Sequence, residues 1–161
     1  DIPMMMKAFR KKPIRVLGKA EMAKIPVFGF IYRKAAVMVN RESDAGRVKS
    51  VNELKKVLSK NISVVIAPEG TFNMTHQPLK EFYNGAFKIA VETNTPIQPV
   101  LFLDGYDRLH YNSVFSMNPG RSRAVFLQEI LPGDDMAALK QKVYDIMEAG
   151  LIRYQASWIK V

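Results

Sequence analysis

Short apolar runs alternate along the chain with segments in which apolar residues recur every three or four positions. Five of these runs are rich in β-branched residues and predict strands over residues 14–18, 35–40, 62–67, 97–103 and 122–128. The run at 62–67 is apolar almost without interruption, which is typical of a strand that is buried on both faces of a sheet.

Three segments have helical spacing. The first has Ser43 or Asp44 as its N-cap, ends near Asn61, and carries one stripe of apolar residues: Val48, Val51, Leu54, Val57 and Leu58. The second is predicted over residues 84–93. The third follows "LPGDD" and carries a second stripe: Met136, Leu139, Val143, Ile146 and Met147.

Strands that alternate with helices predict an α/β fold, with a largely parallel central sheet flanked by helices. The length of 161 residues is that of a single domain, so one domain over residues 1–161 is predicted. In such sheets the functional loops follow the carboxyl ends of the strands.

The composition is that of a folded chain, with 48% hydrophobic residues, and it excludes several kinds of site. There is no cysteine, which excludes disulfides, thiolate metal sites and cysteine nucleophiles. With only two histidines and no carboxylates paired at ligand spacing, no metal site is predicted. No apolar run approaches the roughly 18 residues of a transmembrane helix.

The net charge of +9 is concentrated near the start of the chain. Residues 1–41 hold ten of the 24 basic residues but only two of the 15 acidic residues. Such a region attracts anionic lipid headgroups, nucleic acid or phosphorylated small molecules. The alternative is a basic surface that is merely solvated.

The segment "APEGT" follows the predicted strand at 62–67. Pro68 ends the strand because it has no N–H for the ladder, and Gly70 permits a positive φ. Thr71 offers a hydroxyl group, whereas Glu69 is costly to bury unless it meets a cation or a ligand hydroxyl. On the local sequence alone, an ordinary turn between a strand and a loop is slightly favoured.

The stretch "VVIAPEGTFN" resembles the Phe-Pro-Glu-Gly-Thr block of the glycerolipid acyltransferases, lysophosphatidic acid acyltransferase type. Three further stretches resemble other blocks of that family in the same order. "GKAEMAKIPVFG" is similar to Lys-x-Glu-Leu…Pro…Gly, "AAVMVNRES" to a strand that ends in Arg, and "FYNGAFKIAVETNTPIQPV" to Phe-Lys-x-Gly-Ala…Pro-Ile-x-Pro-Val. Four ordered blocks are a far stronger signal than any one of them.

The family's first block is Asn-His-x-Ser-x-x-Asp, and Asp1 matches its last residue. The resemblance therefore implies that Asp1 is catalytic, that the histidine base lies upstream, and that the chain is truncated at its N-terminus within this block. In the family the histidine takes the proton of the attacking hydroxyl, and the aspartate orients the imidazole. We therefore expect this chain alone to be nearly inactive, since losing a general base costs about 10²–10⁴ in rate.

For the acceptor and the acyl donor, the resemblance implies five substrate-binding residues: Arg41, Glu69, Gly70, Thr71 and Lys19. The donor would be acyl-CoA or acyl-carrier protein, and no other cofactor is expected. The family's Glu-Gly-Thr is often followed by an arginine that holds phosphate, but Phe72 stands there in this sequence. The acceptor, lysophosphatidate or another lysophospholipid, therefore stays open. We expect neither His76 nor His110 to replace the base.

The segment "IPMMMKAFRKKPIRV" combines methionines with lysines and arginines, as amphipathic helices on membrane surfaces do. The methionines suit an acyl-chain pocket or a hydrophobic core equally well. The resulting prediction is an enzyme of phospholipid biosynthesis on the cytoplasmic face of a membrane, peripheral or anchored by an upstream segment. Two alternatives are a non-enzymatic basic α/β module that binds anionic lipid or nucleic acid, and a family member that binds lipid without catalysis.

Overall fold

The computed structural model describes residues 2–24, 26, 28–39, 44–108 and 118–158. The chain forms two compact units, one made of Phe9–Ala67 and the other of Asp1–Ala8 with Pro68–Val161. The prediction that residues 1–161 act as one domain stays a prediction.

The unit of residues 9–67 is built on a parallel sheet of three strands, in the order β2-β1-β3. The strands are β1 (Ile14–Lys19), β2 (Ala36–Val39) and β3 (Ser63–Val65). Val16 of β1 lies opposite Ala36 on one side and Val65 on the other, which fixes the register. The predicted strands at 14–18, 35–40 and 62–67 are therefore confirmed, although β3 is shorter than the apolar run. The expected burial of this strand on both faces is wrong, because β3 lies at an edge of the sheet and its residues are exposed or partly buried.

Helices cover this sheet. The α3 helix (Asp44–Leu58) packs on β2 and β3 and buries Leu54, and it ends where Asn61 adopts a positive φ of 56°. The predicted helix is thus confirmed from Asp44 onward. A 3₁₀ turn (Ala20–Lys24) and α2 (Phe28–Ala35) precede β2. Gly18 lets the buried ring of Tyr32 approach β1, because a Cβ there would overlap the Tyr32 hydroxyl.

The second unit contains α1 (Ile2–Ala8), β4 (Val100–Phe102), β5 (Ala124–Phe126) and three more helices: α4 (Gly85–Glu92), α5 (Gly105–Arg108) and α6 (Met136–Arg153). The two strands are antiparallel, with Leu101 opposite Val125. The sequence pattern predicted both strands and the helices α4 and α6, but it did not separate this antiparallel pair from the parallel sheet.

The core of this unit lies between α4, α6 and the two strands. Its most deeply buried side chains are Phe87, Leu101 and Leu103, and the apolar stripe of α6 contributes Leu139 and Val143. The α6 helix begins where the Asp135 side chain accepts hydrogen bonds from the N–H groups of Ala137 and Ala138, at 2.8 and 3.1 Å. This cap confirms that a helix follows "LPGDD".

Only the first part of the segment that combines methionines with basic residues is helical, and its contact with a membrane stays a prediction. The α1 helix ends at Ala8, and the N–H of Lys12 donates to the carbonyl of Phe9 in a turn. Pro13 disfavours helical conformation at Lys12, so the helix is not expected to extend through the rest of this segment. Within the described part of the chain, no helix is both long and apolar enough to cross a bilayer.

A buried ion pair joins three segments of the second unit. The guanidinium of Arg123 donates to Asp104 at 2.6–3.1 Å, and the backbone N–H of Arg123 donates to the same carboxylate at 2.7 Å. The guanidinium also donates to the carbonyls of Tyr154 and Gln155, at 3.1 and 3.4 Å, just after α6 ends. Hydrogen bonds from Arg123, above all, lower the pKa of Asp104.

We predict that Asp104→Asn lowers the free energy of unfolding by about 2 kcal/mol at pH 7, because it removes the charge from a carboxylate that is buried and accepts several hydrogen bonds, although its partner Arg123 is partly exposed. A lowered folded-state pKa stabilises the fold above the unfolded-state pKa of about 3.9, and this contribution is lost as pH falls below that value. Urea unfolding of the variant should therefore depend less on pH in this acidic range. Asp134→Asn, at an exposed position, should change neither quantity; equal behaviour of the two variants would contradict the prediction.

Candidate active site

Residues 68–83, named here the site loop, begin with the Pro-Glu-Gly-Thr segment. Its two ends are joined by a hydrogen bond from the N–H of Tyr83 to the carbonyl of Pro68, at 2.9 Å. Residues 69–82 therefore form a closed loop that belongs to one compact unit.

Glu69 is half-buried at the start of this loop. Its Oε2 accepts a hydrogen bond of 3.0 Å from the backbone N–H of Lys80. Burial raises the pKa of Glu69 above its ordinary value, while the hydrogen bond and the positive charge of Lys80 oppose that rise. The ionised carboxylate is thus held in a place where it is poorly solvated, a common property of residues that act on ligands.

Gly70 and Thr71 complete the turn. Gly70 has a φ of 68°, in the left-handed region that other residues adopt at a cost, so the glycine that the sequence predicts at a positive φ is confirmed. The hydroxyl of Thr71 accepts a hydrogen bond of 3.2 Å from Nζ of Lys80. The side chain of Lys80 therefore contacts one residue of the turn, while its backbone contacts another.

The inner end of the site loop is fixed on α6. The hydroxyl of Tyr144 donates to the carbonyl of Leu79 at 3.4 Å, and Nζ of Lys140 donates to the carbonyl of Phe82 at 3.2 Å. The ring of buried Phe82 lies edge-on to that of Tyr144, with centroids 5.1 Å apart. Burial raises the pKa of Tyr144, and the negative charges of Glu148 and Glu69 raise it further.

The outer part of the loop is a tight turn around Asn73. Its Oδ1 accepts hydrogen bonds from the N–H and the hydroxyl of Thr75, at 2.9 and 2.6 Å, and its Nδ2 donates to the carbonyl of Gln77 at 3.0 Å. Phe72, at the position of the family's arginine, is 72% exposed. His76 is exposed as well.

Of the six residues predicted for the site, the structure brings together Glu69, Gly70 and Thr71. Asp1 and Arg41 lie outside the described residues, as does His110. Lys19 is the last residue of β1, and its side chain is likewise outside the description. The roles of these residues stay predictions.

Sequence reasoning missed Lys80. Neither periodicity nor a family block connects it to Glu69, which precedes it by eleven positions, because the contact to the carboxylate comes from the backbone. The one signal available was a lysine that follows ten residues without Asp, Glu, Lys or Arg.

The cleft recorded in this unit lies apart from the Glu-Gly-Thr turn. A cleft of about 280 Å³ is lined by Glu81, Phe82, Lys140, Gln141 and Tyr144, and no residue of the Glu-Gly-Thr turn lines it. Among the described residues, no group of three or more histidines and carboxylates is arranged to hold a metal ion. The absence of a metal from the function stays a prediction.

Comparisons with known proteins agree with the sequence blocks. The family model described as Acyltransferase matches residues 1–103, more than half of the chain. The chain is 23% identical over 150 residues to the 1-acyl-sn-glycerol-3-phosphate acyltransferase of Helicobacter pylori, covering 92% of this chain and 63% of that protein. It is 37% identical over 90 residues to the lysophospholipid acyltransferase LPCAT4 of Xenopus tropicalis, covering 53% of this chain and 16% of that protein.

The fold also has a counterpart among solved structures. The crystal structure of the 1-acyl-sn-glycerophosphate acyltransferase PlsC from Thermotoga maritima superposes with a TM-score of 0.68 at 23% identity, covering 91% of this chain and 58% of that one. This likeness confirms the predicted α/β fold. The chain spans less than two-thirds of the length of each of these three proteins. With the match over residues 1–103, the resemblance to the glycerolipid acyltransferases is confirmed, and this chain belongs to the acyltransferase family.

Proposed function

We propose that this chain takes part in transferring a fatty acyl group from acyl-CoA or acyl-carrier protein to a hydroxyl of a lysophospholipid, with 1-acyl-glycerol-3-phosphate as the first candidate acceptor. Membership of the acyltransferase family and the names of its relatives support this proposal. The observation that carries it is the half-buried Glu69, which is held beside Gly70 and Thr71 in the block that resembles the family's.

The chemistry requires two proton transfers, one from the acceptor hydroxyl and one to the leaving thiolate. The acceptor hydroxyl attacks the thioester carbonyl and loses its proton to a base; the C–S bond then breaks, and the thiolate leaves and takes up a proton. The resemblance assigns the base to a histidine upstream of Asp1, and Asp1 to its orientation. No covalent intermediate on the protein is required.

Glu69 is proposed to bind hydroxyl groups of the acceptor. A carboxylate accepts hydrogen bonds from hydroxyls, and these are stronger when the carboxylate is poorly solvated. Because burial disfavours the ionised form of Glu69, a ligand hydroxyl restores hydrogen bonding that the protein supplies only in part.

Anion recognition is proposed to rest on Lys80 together with Arg41 and Lys19. Phe72 cannot contact a phosphate as a guanidinium does. The ammonium of Lys80 lies 3.2 Å from Thr71 Oγ1, so it places a positive charge beside the turn. A lysolipid without the phosphate of lysophosphatidate is the alternative acceptor. We further propose that the enzyme works at the cytoplasmic face of a membrane and needs no metal or cofactor.

The first test is thiol release from acyl-CoA with 1-acyl-glycerol-3-phosphate, for this chain and for a chain extended upstream through an Asn-His-x-Ser block. We expect turnover by the extended chain that exceeds turnover by this chain at least about 100-fold, because the base is restored. Equal, robust turnover by both would contradict the assigned base. Absence of thiol release with every lysolipid would contradict the function, and binding of nucleic acid that weakens steeply with salt would support the basic-module alternative.

We predict that Glu69→Gln lowers kcat/KM of the extended chain about 10- to 100-fold, since it replaces a charged hydrogen-bond acceptor by a neutral one. Stability at pH 7 should stay equal or rise, because glutamine still accepts from the Lys80 N–H without the cost of burying a charge. A raised folded-state pKa means that the wild type gains stability as pH falls through that pKa, so the difference between the two should shrink near pH 4.

The matched control for this variant is Glu81→Gln, whose side chain is 89% exposed. Thermal unfolding at pH 7 and pH 4 and steady-state kinetics should leave the control close to the wild type. A Glu69→Gln enzyme with full activity would rule out a binding role for the carboxylate.

We predict that Lys80→Met raises KM for a phosphate-bearing acceptor about 10-fold and changes kcat little, because only the ammonium is removed and the backbone donor to Glu69 remains. The pKa of Glu69, followed by NMR titration, should rise when the neighbouring positive charge is lost. Lys80→Arg should restore KM. Lys88→Met, on the exposed face of α4, serves as the control; an equal rise of KM in both lysine variants would indicate a general charge effect.

A further inference from the structure

Two large apolar side chains point outward from the part of the site loop that follows the Glu-Gly-Thr turn. Phe72 is 72% exposed and Met74 is 53% exposed, whereas Asn73 between them is partly buried. Residues 72–77 are named here the loop tip. Exposed apolar residues are common singly, but two in one tight turn beside a candidate site call for a specific explanation.

Several polar groups of the loop tip are paired with one another. The side chain of Asn73 bonds Thr75 and Gln77 as described above, and the N–H of Gln77 donates to the hydroxyl of Thr75 at 3.3 Å. In a medium without water, each unpaired polar group costs several kcal/mol. A turn that pairs several of its polar groups internally and holds two apolar side chains outward is therefore suited to shallow contact with the headgroup region of a lipid layer.

The distribution of charge in residues 70–80 also favours contact with lipid. Residues 70–80 contain no aspartate or glutamate, and the segment ends with Lys80. Acidic residues would repel an anionic lipid surface, and residues 72–77 contain none. The exposed Leu131 of the same unit differs in that no second large apolar side chain is exposed within three positions of it.

We infer that the loop tip enters the headgroup region of a lipid layer, with Phe72 and Met74 in contact with its apolar edge. The inference rests on the proposed function in one respect: the tip would then hold Glu69, Gly70 and Thr71 at the surface that contains the lysolipid acceptor. It also gives a physical reason for a phenyl ring at position 72, because aromatic and apolar side chains stabilise shallow insertion into a bilayer.

This contact differs physically from attraction through the basic residues of the first 41 positions. Electrostatic attraction to anionic lipid weakens as salt screens the charges, since the Debye length falls from about 10 Å at 0.1 M to about 3 Å at 1 M. Burial of apolar side chains is not screened in this way. Raising the salt concentration therefore weakens the contribution of the basic residues to lipid binding and leaves that of Phe72 and Met74.

The experiment is co-sedimentation of the chain with phosphatidylcholine vesicles that contain about a quarter of phosphatidylglycerol, at low salt and at about 0.5 M NaCl. The double variant Phe72→Ser, Met74→Ser should bind at least about 10-fold more weakly at high salt, and Leu131→Ser should bind as the wild type does. Equal binding by the double variant and the wild type would overturn the inference, and so would absence of wild-type binding at high salt.

A second measurement locates the tip within the lipid. Phe72→Trp adds a second tryptophan to Trp158, and its fluorescence should be quenched by lipids brominated on their acyl chains. Leu131→Trp is the matched control and should not be quenched beyond the wild type. Equal quenching in both variants, or quenching in neither, would overturn the inference.

Activity on dispersed substrate separates this inference from its nearest alternative, in which Phe72 and Met74 line the acyl-chain site. With a short-chain lysolipid below its micellar concentration, the double variant of the extended chain should retain wild-type activity, whereas activity on vesicles should fall about 10-fold. Loss of both activities would place the two side chains in the substrate site and overturn the inference. If no lysolipid is acylated by the wild type, the proposed function fails, but the vesicle and quenching results still decide the role of the tip.

Discussion

The ion pair of Arg123 and Asp104 is the interaction on which the second unit, Asp1–Ala8 with Pro68–Val161, depends. It joins the end of β4 to the start of β5, and the same guanidinium holds the chain just after α6 through the carbonyls of Tyr154 and Gln155. Charge-assisted hydrogen bonds of this number compensate the cost of burying the carboxylate. The position of α6 relative to the two strands is therefore set at its C-terminal end by a polar contact and along its length by the apolar core.

The site loop is held in position by side chains of α6. Tyr144 and Lys140 hold the backbone at Leu79 and Phe82, which flank Lys80 closely enough to fix its N–H. That N–H in turn holds the Glu69 carboxylate. Glu69 is thus placed by a series of contacts that begins in the core. Substitutions in α6 are therefore expected to alter the position of Glu69 even though α6 does not contact it through these hydrogen bonds.

The sequence predicted most elements of the fold because each had a local signal: the β-branched runs, the capped helix that begins at Met136 and the glycine at position 70. It did not predict α2, where Pro26 and Gly29 obscure an amphipathic segment of eight residues. The contact between Lys80 and Glu69 could not be predicted either, since a backbone donor carries no residue preference. The pairing of Asp104 with Arg123 depends on how β4 and β5 align, which periodicity does not reveal.

Two positions where the family blocks carry cations are aromatic in this chain. Phe72 follows the Glu-Gly-Thr turn in place of arginine, Tyr83 follows Phe82 in place of lysine, and both rings are exposed. Between them Lys80 directs its ammonium toward Thr71. In the proposed function, this arrangement separates two tasks: the cation recognises the anionic group from the inner side of the loop, and the outer side, relieved of charge, is free to contact lipid. A charged residue at position 72 could not do both, because a guanidinium bound to phosphate does not also bury apolar surface in a lipid layer.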